Sequence, residues 1–147
     1  MANEKKQNQG IMDTIMASVE YLGDLRTQAT HLKSGQKLTT DAPTDNMGKG
    51  EAFSPTDLAS TSLCSCMMTI MGQVAQREGI ELKGLKADIV KIMAQTPRRI
   101  AEIKISFSHP TLVATDVQKQ KLKNGAMTCP VAYSLNENLK QTVVFNF

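Results

Sequence analysis

The sequence predicts an α+β domain: a β-meander and a β-hairpin arranged around one long central helix. Three observations lead there. Residues 18–41 carry short β-type runs broken by glycine turns. Residues 54–78 form a single long apolar run that opens on Ser54-Pro55 and stops at Gly79. Residues 82–107 return to alternating apolar and polar positions on either side of Pro97. At 147 residues the chain is one domain's worth of sequence, placed here at residues 18–147, with residues 1–17 read as a disordered leader.

Each element has its own signal. Val19-Glu20-Tyr21-Leu22 is a short strand, Gly23-Asp24 a turn, Arg26–Leu32 a second strand, Ser34-Gly35 a turn and Gln36–Thr40 a third strand. Residues 41–53 hold Pro43, Gly48 and Gly50 without an apolar period and read as a loop. Ser54 suits a helix N-cap. Pro55 suits the first helical position, where its missing N–H is no loss, and Asp57 puts negative charge at the favourable end of the helix dipole. The helix is apolar on more than one side. Ala59, Leu63, Cys66, Met67, Ile70 and Val74 make one stripe, and Ser60, Cys64, Met68, Met71 and Ala75 lie among the rest, so a core helix is expected.

Beyond it, residues 82–93 and 100–107 alternate as a hairpin. Residues 116–127 read as a polar amphipathic helix with Val117, Leu122 and Ala126 inward. Cys129-Pro130 opens a short helical turn to about Leu135, and Lys140–Phe147 is a closing strand.

Composition narrows the function. Seventeen basic residues against fourteen acidic give a net charge of only +3, too mild for a nucleic-acid surface. The basic tract at residues 118–123 and the Arg98-Arg99 pair lack interleaved aromatics, and read as a solvated helix face and a hairpin tip. No run approaches the roughly 18 apolar residues of a membrane span, and the polar start has no apolar segment of a secretory signal, which points to a cytoplasmic protein. Three cysteines in such a chain do not form a disulfide framework; they are free, metal-bound or redox-active.

The cysteines are the unusual reactive groups. On a helix, Cys64 and Cys66 point roughly 160° apart and cannot share a metal or a disulfide, and neither His31 nor His109 has ligand spacing, so no metal site is expected. Cys129 sits at a helix start, where free N–H groups favour its thiolate and are expected to lower its pKa. Cys66 lies on the apolar stripe, where burial makes a thiol inert unless a cation reaches it. Small core packing is the plain alternative for both helix cysteines.

Ser54-Pro55-Thr56-Asp57-Leu58, a small-residue helix reaching Cys66 eleven positions after Pro55, and Cys129-Pro130-Val131 before the last strand together resemble the OsmC/Ohr family of osmotically inducible and organic-hydroperoxide-resistance proteins. The order of elements matches over about residues 18–147. The resemblance implies an intertwined homodimer and a thiol peroxidase of the stress response. Cys66 would be the peroxidatic residue and Cys129 the resolving one, with an organic hydroperoxide as substrate. An external dithiol, such as a lipoyl group, would be the reductant, and no bound cofactor is needed.

It further implies an arginine holding the thiolate, for which Arg26 is the matching position. The family's peroxidases have a Glu directly after the Pro to orient that arginine. Here the residue is Thr56, leaving Asp57 or Glu51 as substitutes, and the chain resembles the less characterised branch of the family. The extra Cys64 is expected to be structural. The competing reading is a non-catalytic module of the same fold that binds a small apolar ligand or senses redox state, its methionine-rich interior adapting to the guest.

Overall fold

The computed structural model describes residues 14–147. The first thirteen residues of the expected leader lie outside them, and Ala17, its last residue, already belongs to a strand. The chain forms two compact units, one ending at Ser54 and one spanning Pro55–Phe147.

The first unit is the expected meander. Strands β1 (Ala17–Gly23), β2 (Arg26–His31) and β3 (Lys37–Asp41) pair antiparallel in the order β1-β2-β3. The first turn falls one residue later than expected, at Asp24-Leu25, because both residues take positive φ (53° and 60°), which matches the twist of the flanking strands. Register puts Val19, Tyr21, Ala29 and Leu38 on one face, with Glu20, Gln28, Lys37 and Thr39 on the other. The apolar face is exposed: Val19 is 67% and Tyr21 64% accessible. The loop after β3 contains one 3-10 turn, Thr44–Asn46.

The second unit holds helix α1 (Pro55–Glu78), hairpin strands β4 (Lys86–Gln95) and β5 (Arg98–Ser108), helices α2 (Asp116–Ala126) and α3 (Pro130–Ser134), and strand β6 (Lys140–Asn146). The sheet order is β4-β5-β6. β6 returns parallel to β5 after the two helices, a pairing the sequence pattern did not indicate. One sheet face carries Ile89 on β4, Ile103, Ile105 and Phe107 on β5, and Val143 and Phe145 on β6, with Phe107 and Phe145 stacked at 5.4 Å.

Against this core α1 buries Ser60, Leu63, Cys64, Met67, Met71, Val74 and Ala75, positions three and four apart on one helical stripe. The stripe differs from the expected one. Cys64 is in it, whereas Cys66 stands on its flank and is only partly buried. Nor is the helix apolar all round. Ser62, Ser65, Thr69 and Gln73 are exposed, and the hydroxyls of Ser60, Ser62 and Thr69 bond carbonyls of their own helix.

Helix α2 crosses close to α1 at Gly125, where an added Cβ would meet Val74 Cγ2 at 2.9 Å. Leu122 and Ala126 are buried as expected, but Val117, in its first turn, is 68% exposed. Thr115 and Gln118 close the helix start with a reciprocal capping box.

Candidate functional site

Cys66 occupies the flank of α1 that faces the start of α3. Cys129 is the N-cap residue of α3, with Pro130 at its first position, as the Cys-Pro pair predicts. Its Sγ accepts a hydrogen bond from the Ala132 N–H at 3.2 Å, so the thiol itself caps the helix. Cys66, from mid-helix α1, lies close enough to Cys129, at the head of α3, to raise its pKa. All three cysteines are free thiols.

Their environments separate them. Cys129 is fully buried, and its pKa is pushed up, the opposite of what the helix start alone suggested. Loss of water around the thiol is the largest cause. The neighbouring Cys66 pushes in the same direction, and the N–H groups of Ala132 and Val131 pull the other way without prevailing. A short helix offers few free N–H groups, and desolvation outweighs them. Cys64 is buried in the core and burial pushes its thiol up as well, in keeping with a structural role.

Arg26 belongs to the first unit. Its Nε and Nη2 grip Asp41 in a two-pronged pair at 2.7 and 2.9 Å, and Nη2 also reaches Glu51 at 2.8 Å. Glu51 is thus one of the substitutes expected to orient this arginine. Asp41 is the partner sequence reasoning missed. It is nearly inaccessible, it also accepts from the Glu51 N–H at 3.1 Å, and Arg26 holds its carboxyl below the usual range. Those carboxylates hold the Arg26 pKa above its ordinary value. A signal for Asp41 existed: a tight β2–β3 turn makes it the cross-strand neighbour of Arg26.

The other two candidates, Thr56 and Asp57, lie in the first turn of α1. Both accept from Lys91 Nζ, at 2.8 and 2.6 Å. Lys91 stands on the core side of β4 among apolar neighbours, a position whose charge signals an ion pair. His31 bonds Ser34 and His109 bonds the Lys83 carbonyl.

A partly exposed helix thiol beside a buried thiol at a Cys-Pro helix start defines the class: an α+β protein with two neighbouring thiols. The chain belongs to the OsmC family, whose model, "OsmC-like protein", matches residues 48–144. Among solved structures it is similar to a protein of Psychrobacter arcticus 273-4 described as an osmotic stress induced and detoxification response protein. The two are 44% identical over 92% of this chain and 98% of that one, with a TM-score of 0.88. The fold is shared with an organic hydroperoxide resistance protein OsmC of Legionella pneumophila (16% identity, 94% and 100% coverage, TM-score 0.71). It is shared also with an organic hydroperoxide resistance protein of Elizabethkingia anophelis (15% identity, 92% and 97% coverage, TM-score 0.61). No curated protein matches the sequence significantly.

Proposed function

We propose that the protein is a thiol-dependent peroxidase that reduces organic hydroperoxides. The observation that carries this reading is the proximity of Cys66 to Cys129, close enough for the one thiol to raise the pKa of the other. Burial pushes the Cys129 thiol up, whereas Cys66 is partly exposed, and this contrast supports Cys66 as the sulfur that attacks. The Cys66 thiolate attacks the distal peroxide oxygen and forms an S–O bond to it. The O–O bond breaks, the alkoxide takes a proton and leaves as the alcohol, and Cys66 becomes a sulfenic acid. Cys129 sulfur then attacks Cys66 sulfur. An S–S bond forms, the S–O bond breaks, and the sulfenic oxygen leaves as water with the Cys129 proton. An external dithiol such as a lipoyl group returns the disulfide to two thiols and is itself oxidised to a disulfide.

Arg26 is the proposed cation for the Cys66 thiolate. Asp41 and Glu51 bond its Nε and Nη2 and fix its orientation within the meander. We place the protein in the cytoplasm as a homodimer. Supporting the dimer is the exposed apolar face of Val19, Tyr21 and Leu38. The paired thiols favour this reading over a ligand module whose cysteines only pack. Consumption of cumene hydroperoxide with dihydrolipoamide tests it. Wild type turns over, Cys66→Ser is inactive, and Cys129→Ser gives one turnover and then stalls. Equal rates for wild type and Cys66→Ser would overturn it.

A further inference from the structure

At the far end of α3 from the thiols lies a cleft of about 700 Å³, within the range of small-molecule sites. Ile100, Leu135 and Leu139 form its apolar wall and Thr56 of α1 its side. Arg99, Asn136 and Asn138 supply the polar groups. The mixture is informative. The Arg99 side chain has no ion-pair or hydrogen-bond partner among the described residues. Asn136 spends its side-chain oxygen on the Asn138 backbone N–H at 2.8 Å, so its NH₂ group remains a free donor. The nearby cation Lys91 is matched by Asp57. The uncompensated charge in the cleft is therefore one guanidinium, set beside amide donors at the end of a hydrocarbon wall.

We infer that this cleft binds a small amphipathic carboxylate, its acid group on Arg99 and the Asn136 and Asn138 amides and its chain along Ile100, Leu135 and Leu139. A guanidinium fork matches a carboxylate in shape as well as charge, and the apolar wall selects against small inorganic anions. The site is distinct from the thiols. Thr56 is ten residues before Cys66 on α1, about 15 Å along the helix axis, and α3 spans about 9 Å from Cys129 to Leu135. The inference stands whether or not the thiols turn over peroxide.

Decanoate, which carries no peroxide, is the probe, with decanol as the uncharged control, followed by amide NMR on the reduced full-length protein. Decanoate is expected to move the side-chain NH₂ signals of Asn136 and Asn138. Arg99→Gln is expected to weaken decanoate about fivefold, the scale of one solvent-accessible charge pair, while leaving decanol unchanged, and Arg99→Lys to recover part of the loss. The inference is overturned if decanoate does not bind at millimolar concentration. It fails equally if Arg99→Gln binds decanoate as well as wild type does, or if the perturbed signals fall on the β1–β3 sheet.

Discussion

Two residues apart on α1, Cys64 and Cys66 meet opposite surroundings, and under the proposed function the difference decides which sulfur reacts. Cys64 is packed in hydrocarbon; Cys66 is partly open and near enough to Cys129 to raise its pKa. Helical spacing was enough to set the two apart, and the Pro55-to-Cys66 and Cys-Pro motifs singled out the two cysteines that the fold makes neighbours. The direction of the Cys129 pKa was not legible, because it depends on how completely tertiary packing removes water from that sulfur.

The raised thiols carry a pH prediction. A group whose folded pKa lies above its unfolded one contributes stability below the unfolded value and loses it as pH rises through the folded value. Reduced protein should therefore weaken toward urea above about pH 9, and replacing Cys64 and Cys129 by Ala should flatten that decline. A urea midpoint unchanged from pH 8 to 11 in wild type would contradict it. On the acid side the sign reverses. Asp41, whose carboxyl Arg26 holds low, contributes stability above about pH 3.8 that is lost as pH falls, and Asp41→Asn should remove that part of the acid transition.

At the scale of elements, helix boundaries were the most legible feature, since Pro55 and Gly79 act through local backbone chemistry. The buried stripe of α1 was less so. Nearly every side of that helix offers small or apolar residues, and only the approach of α2 and the sheet selects Cys64 over Cys66. Gly125 is where α2 makes that approach. Gly125→Val drives methyl groups into the stiff, buried Val74 and should cost about 1–3 kcal/mol in chemical denaturation. Gly125→Ala should show no more than part of its usual helix-propensity gain. The capping box at Thr115 and Gln118 is the ordinary Thr-x-x-Gln signal, and was readable in the sequence. Thr115→Ala should cost about 1 kcal/mol, lowering Tm by roughly 2–4 °C.

For the molecule as a whole, the α+β class followed from patterning alone, whereas the parallel return of β6 beside β5 did not. Periodicity states that a segment is a strand, and partner choice is made by the packed core. The meander's apolar face poses the clearest question at this scale. Val19 and Tyr21 stand side by side on β1 with most of their surface exposed, and under the homodimer proposal a second copy covers them. Tyr21→Lys should then shift the protein toward monomer in sedimentation at micromolar concentration, with the wild type remaining dimeric.

The central claim is that Cys66 and Cys129 act as one redox unit. Peptide mapping under non-reducing conditions, after one equivalent of cumene hydroperoxide, tests it most directly. The account predicts a single intrachain link between the Cys66 and Cys129 peptides, with Cys64 still open to alkylation after unfolding. Recovery of all three cysteines as free thiols, or a link that includes Cys64, would contradict it.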